Sequence, residues 1–298
     1  MQTRKAQITR QNGGRTEAIL RSFAGPREMS EYIEKTPVRP WFEAKAHSHS
    51  DDHYTANFSG SKTWAEADRM FSAGCPEIAA RIAAVVCGAK PVERRTQIAQ
   101  SYAGFAPCVP SWLNGDPRSM LASKKVVKQT KKIDLYISVT ASCEYTAAQI
   151  EEGLCEVLSM IQGLEKSGYR VAITMIASFA AETKRGRGGR AAEHRVVAYT
   201  MPIKRAEERL SVLRLSYVCC HPSMLRRHCF ALLERDPDTN EKDYIKTYGF
   251  VPGLQDVQKI LDAAKPGAVV IPGIFRNRKE REQVAQKLGI PLTKLQSN

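Results

Sequence analysis

The chain lacks most short signatures of catalytic chemistry. Its 298 residues contain no phosphate loop, no dinucleotide fingerprint, no serine–histidine–aspartate order and no carboxylate pair in an apolar setting. There are eight cysteines: Cys75, Cys87, Cys108, Cys143, Cys155, Cys219, Cys220 and Cys229. None forms Cys-x-x-Cys and none pairs with a histidine at finger spacing, which excludes a zinc finger or ribbon. A chain this long does not need disulfides, and several of these thiols fall at apolar helical positions. A reducing cytoplasm is therefore expected. The first residues, Met-Gln-Thr-Arg-Lys-Ala-Gln, hold no apolar signal region, and no run approaches membrane-spanning length. The expectation is a soluble protein, not secreted by the usual route and without a membrane partner.

Acidic residues are also scarce relative to basic ones: 31 Asp and Glu against 45 Lys and Arg, a net charge of +14. Such an excess favours an anionic partner, with nucleic acid ahead of a membrane surface. Hydrophobic residues make up 43%, enough for one sizeable core.

Along the chain three regions are expected: an N-terminal arm and loop (1–57), a small helical region with a connector (58–125), and an α/β domain (126–298). Residues 1–15 are polar and basic and predict an extended, weakly ordered arm. Met29, Tyr32 and Ile33 share one face of a short helix that Pro37 ends. His47-Ser-His49-Ser-Asp51-Asp52-His53 resembles the His-x-His-x-Asp-His metal motif of metallo-β-lactamase-type hydrolases, with one residue too many before the last histidine. A polar surface loop is the plainer reading. Thr63 predicts an N-cap for a helix carrying Trp64, Ala67, Met70 and Phe71 on one stripe, followed by a second helix with Ile78, Ile82 and Val85 inward. Residues 102–120 are dense in Pro, Gly and large apolar groups. They predict a rigid, partly buried connector with a short helix at 110–114.

The chain is organised around residues 131–178. Ile133, Leu135, Ile137 and Val139 alternate with polar neighbours, and a long helix from about Ala147 carries Ile150, Leu154, Val157, Leu158, Ile161 and Leu164. Gly168 ends that helix, and Val171, Ile173, Met175 and Ile176 make a second strand. This is a βαβ unit. Next come a strand, the Arg/Gly-rich tip Lys184-Arg-Gly-Arg-Gly-Gly-Arg190 and a returning strand, which read as a hairpin. Residues 204–220 predict a helix, Ser223 the cap of another, and 235–243 an acidic surface loop. His221 and His228 have no partner at a spacing that compels a site, so they read as structural. A strand at 268–271 precedes an amphipathic helix that starts with Arg276, Arg278 and Lys279. A cationic helix N-terminus opposes its own dipole, and a bound anion would relieve that cost.

Ser138-Val-Thr140-Ala-Ser142 after a buried strand, then a polar turn, a long helix and a strand, resembles the opening of a von Willebrand factor A domain. That resemblance implies a Rossmann-like, mostly parallel sheet flanked by helices, with the hairpin at an antiparallel edge and its tip beside the 138–142 turn. In that family the strand ends in Asp-x-Ser-x-Ser and holds Mg²⁺. Here Ser138, Thr140 and Ser142 fill the three places without the aspartate, and Pro272-Gly273 stands where a later aspartate is expected. The resemblance therefore supports the fold and speaks against the metal. The order of segments, including the stretch at 109–120, also resembles a family carried by bacteriophages and plasmids, which implies a viral or mobile-element origin and no established activity.

The expected function is non-catalytic: sequence-nonspecific nucleic-acid binding by Lys184, Arg185, Arg187, Arg190, Arg276, Arg278 and Lys279 on one sheet edge, with no cofactor. The alternatives are a protein–protein scaffold of a virion or replication complex, with self-assembly through the Trp/Pro-rich connector, and a metal-dependent hydrolase using His47, His49 and Asp51.

Overall fold

A computed structural model describes residues 1–9, 15–43, 46–51, 53–86, 95–126, 132–166, 168–184, 193–239, 248, 250–275 and 278–288. The architecture is mixed α/β, built on a six-stranded, mostly parallel sheet flanked by helices. Its strands are β1 (Gln2–Thr9), β2 (Arg15–Ser22), β6 (Lys132–Ser138), β7 (Arg170–Lys184), β8 (Glu193–Lys204) and β9 (Val269–Pro272), in the order β1-β2-β8-β7-β6-β9. The pairs β2·β8, β6·β7 and β6·β9 are parallel, while β1·β2 and β7·β8 are antiparallel.

The expected βαβ unit is present as β6, α6 (Ala147–Lys166) and β7. Ile133, Leu135 and Ile137 alternate onto one face of β6 and meet Ile150, Leu154, Leu158 and Ile161 of α6 in the larger hydrophobic cluster. Tyr136 points the other way and joins a smaller cluster with Leu20, Ile176, Val196 and α9 (Leu254–Ala264). One face of the sheet thus carries a thick helical layer and the other carries α9.

The helical layer includes α1 (Pro26–Lys35), α3 (Trp64–Ala73) and α4 (Pro76–Val86). Thr63 caps α3 as expected, its Oγ1 accepting from the Glu66 N–H at 3.1 Å. A helical stretch follows β8: α7 (Val212–Leu215), a π-helical turn (Ser216–Cys220), the His221-Pro222 break, a second π-helical turn (Met224–Cys229) and α8 (Phe230–Arg235). From Leu215 to Asp236 nearly every residue is buried.

Several expectations are corrected. The arm expected at 1–15 contains β1, and β2 follows, so the N-terminal region extends the main sheet. Ala18 and Leu20 are buried on one face and Ile19 on the other, the period of two that a fully covered strand requires. The β7–β8 hairpin is not an edge, because β2 pairs along β8 from Thr16↔His194 to Ser22↔Thr200. The helix expected at 204–220 begins only at Val212: β8 runs to Lys204, and Ser211 supplies the cap. Ser223 does not cap by its side chain; its buried hydroxyl donates to the Ser59 carbonyl at 2.8 Å and lies 2.8 Å from the Ser61 hydroxyl. In the expected acidic surface loop, Asp236 and Thr239 are buried.

Residues 95–126 form a separate three-stranded sheet, ordered β3-β5-β4, that sequence reading missed. Its strands are β3 (Arg95–Ser101), β4 (Ala106–Pro107) and β5 (Met120–Val126), with the short helix α5 (Val109–Leu113) between β4 and β5. A side chain at Gly104 would run into the Leu121 carbonyl oxygen, so only glycine lets this loop lie against β5. Among the described residues, none from this unit belongs to either hydrophobic cluster.

Candidate functional site

The carboxyl edge of the sheet is where both arginine-rich segments leave it. Ser138 at the end of β6 pairs with Ile176 of β7 and with Pro272 of β9. β7 continues past this level to Lys184, its upper part bridged by Phe250 opposite Ala180. β9 leads into α10 (Arg278–Leu288), whose Lys279 is exposed. Open α/β sheets bind ligands outside such strand ends. Arg185, Arg187, Arg190 and Arg276, and the side chains of Lys184 and Arg278, lie outside the described residues.

The edge is poorly made for a cation. Ser138 is buried, and its carbonyl oxygen lies so close to Gly273 that a side chain there would collide with it. That closeness admits only glycine at 273. The Thr140 hydroxyl oxygen accepts the Ser178 N–H at 2.8 Å, and Ser142 Oγ accepts the Glu144 N–H at 3.4 Å. Arg226, almost fully buried, donates to the Tyr145 carbonyl at 2.5 Å and the Phe58 carbonyl at 2.6 Å, and stacks on the Phe58 ring at 3.8 Å. A guanidinium therefore anchors the turn just beyond Ser142.

The His47–Asp51 segment does not assemble as a metal centre either. His47 N–H donates to the Tyr248 hydroxyl, His49 Nδ1 contacts Ser48 Oγ at 2.8 Å while its ring stacks on Trp64, and Asp51 accepts the Trp64 N–H at 3.2 Å. Among the described residues no group of three His, Cys, Asp or Glu could hold a metal ion.

That segment is tied down by a buried polar network that sequence reading passed over. Arg227 is fully buried and donates to Ser61 Oγ (2.7 Å) and to the carbonyls of Ser61 (2.9 Å), Ser48 (3.0 Å) and Ser50 (3.1 Å). Glu234, also fully buried, accepts from the Ser48 N–H and hydroxyl and from the Tyr248 hydroxyl. Burial first, then Glu234, pushes the Tyr248 hydroxyl well above the usual tyrosine range. His228 is buried beside Trp64 and Phe71, with Nδ1 2.9 Å from the Tyr217 hydroxyl and Nε2 3.9 Å from Asp68. Burial holds His228 below the ordinary histidine value. Consecutive Arg226, Arg227 and His228 thus reach three separate sets of partners. The available signal was four polar side chains (Arg226, Arg227, His228 and Glu234) inside an otherwise apolar run. The network holds the 48–61 segment in shape, with the Ser48 hydroxyl buried between Glu234 and His49 Nδ1.

A second feature lies on the separate sheet. Ile98, Tyr102, Phe105, Val109, Trp112 and Leu113 are between 56% and 74% exposed. This corrects the expectation of a partly buried connector. Phe250, Val251 and Leu213 are also exposed, but they are scattered.

No helix among the described residues is long and apolar enough to cross a membrane. No curated protein and no solved structure matches the chain. A family model described as "Domain of unknown function (DUF7192)" matches residues 9–292, and the chain belongs to that family.

Proposed function

We propose that the protein is a non-catalytic, phage- or mobile-element-borne protein that binds nucleic acid without sequence preference and acts in the host cytoplasm. The observation that carries this reading is topological. β7 and β9 run parallel to β6 and leave towards the same end of the sheet, β7 continuing to Lys184 past the level of Ile176 at which β9 ends, and each leads into a basic segment, 184–190 and 276–279. The net charge of +14 supports the same partner. Two basic segments at one edge can contact phosphates on successive turns of a backbone, which gives affinity but no base readout. The βαβ unit with its antiparallel β8 supports a von Willebrand A-like core; β1 and β2 then extend it beyond the strand that the resembled fold leaves at an edge.

The test is a mobility-shift titration on single- and double-stranded DNA and RNA. Binding should weaken steeply with salt. Replacing Arg185, Arg187 and Arg190 by Ala should lower the slope of log affinity against log salt by about 0.7–0.9 per lost phosphate contact. Absence of binding at low salt would refute the proposal.

A second reading, a scaffold component of a virion or replication complex, is favoured by the apolar surface on residues 95–126.

A further inference from the structure

The apolar surface on the separate sheet has three properties that together select its occupant. The first is its lack of intramolecular use. Its residues join neither hydrophobic cluster of the described structure, although Trp112, Phe105 and Tyr102 are 68%, 66% and 74% exposed. Aromatic side chains bury about 150–250 Å² each, so these three alone offer on the order of 400 Å². The aliphatic Ile98, Val109 and Leu113 add to it. A standard interface takes about 800 Å² from each partner, so these side chains would make the apolar centre of one rather than its whole area.

The second property is charge. Residues 98–115 contain no Lys, Arg, Asp or Glu, in a chain with 45 basic and 31 acidic residues. The stretch itself offers nucleic acid no cation and a charged protein surface no complement; the charges that flank it are the Asp116–Arg118 pair, 3.6 Å apart, and Lys124 and Lys125 opposite Gln97 and Thr96. Two copies of a chain at +14 repel one another over most of their surface, and least where neither carries charge. The third property is polarity. The patch combines apolar bodies with few polar groups, so it is its own complement, as a two-fold interface requires. The outer edge of β3 is also free of a strand partner among the described residues.

We propose that this surface is an isologous dimer interface, occupied by the same surface of a second copy of the chain, with Phe105 and Trp112 as its anchors. The inference deepens the scaffold reading and rests on it.

The experiment uses the full chain, nuclease-treated, in sedimentation equilibrium over a wide range of concentration and salt. The expected result is a monomer–dimer equilibrium that tightens as salt screens the net charge, the opposite trend from nucleic-acid binding. Phe105→Ser and Trp112→Ser should each weaken the dimer by at least about tenfold. Both residues are exposed, so far-UV circular dichroism should not change, nor should the unfolding midpoint at concentrations where the unsubstituted chain is monomeric. A chain monomeric throughout, a dimer indifferent to both substitutions, or association that weakens steeply with salt would each overturn the proposal. An apolar dye separates the two levels of the argument. A monomer that binds 8-anilinonaphthalene sulfonate more strongly than its double variant overturns self-association alone. A monomer that binds it no better shows that the surface is not exposed, and the scaffold reading falls as well.

Discussion

Arg21 and Asp236, 215 positions apart in sequence, form a two-pronged ion pair inside the protein: Nε to Oδ2 at 2.5 Å and Nη2 to Oδ1 at 2.7 Å. The Tyr199 hydroxyl donates to the same carboxylate at 2.8 Å, and Arg21 also reaches Asp238 at 2.6 Å. Burial works against the Arg21 charge, but the bond to Asp236 and its charge outweigh that and raise the guanidinium further above its usual value. β2 is thereby fixed to the turn that follows α8. Removing one partner of such a pair strands the other in a dry interior. Asp236→Ala should therefore cost about 3–5 kcal/mol in denaturant unfolding. The double replacement Arg21→Met with Asp236→Leu should recover most of it. A single-variant loss below about 1 kcal/mol would mean the pair behaves as a surface one.

Arg227 supports residues 48–61 through four hydrogen bonds to three serines. Arg227→Met keeps the apolar stem and leaves those acceptors without their donor. The expected loss is on the order of 3 kcal/mol. Hydrogen exchange and limited proteolysis should localise the loosening to 46–62. Loosening spread evenly over the sheet would contradict the network's local role.

Acid should destabilise the fold through two histidines. His221 Nδ1 accepts the Ser223 N–H at 3.1 Å, and burial lowers the His221 pKa to about 4; His228 is lowered by burial too. Above about pH 6.5 both are neutral in the folded and unfolded chain, so neither affects stability. Between 6.5 and about 4 the unfolded chain takes up protons that the fold refuses, and stability falls as pH falls. His221→Gln should flatten that part of the stability–pH curve. An unchanged slope would show that His221 titrates normally.

The thiols should divide by environment. Burial pushes Cys219 and Cys229 well above the ordinary thiol value, and Cys220 likewise, whereas Cys143 is exposed. Hydrogen bonding from Ser111, then Gln100, lowers Cys108. Brief alkylation of the native protein, read by mass spectrometry, should label Cys143 and Cys108 and spare Cys219, Cys220 and Cys229 until denaturant is added. Equal labelling of all five would contradict the burial of the 216–229 segment.

The sequence alone determined the βαβ unit, the capped α3 and its partner α4, and the location of the basic segments. Those features rest on local periodicity and capping, which act between neighbours in the chain. Tertiary structure decided the rest. β1 is polar enough in sequence to pass for an arm, and it joins the sheet because β2 pairs with it and is itself held by the β8 ladder and by Asp236, the counter-charge for Arg21. Arg226, Arg227 and His228 look like a helix rim until the 46–62 loop wraps them and supplies carbonyls. The weight of the 102–113 segment reversed: its aromatic and proline content predicts burial, but whether a large apolar side chain is buried depends on what folds over it. In this chain the described residues fold nothing over Phe105 and Trp112; the cover proposed above is a second copy of the chain.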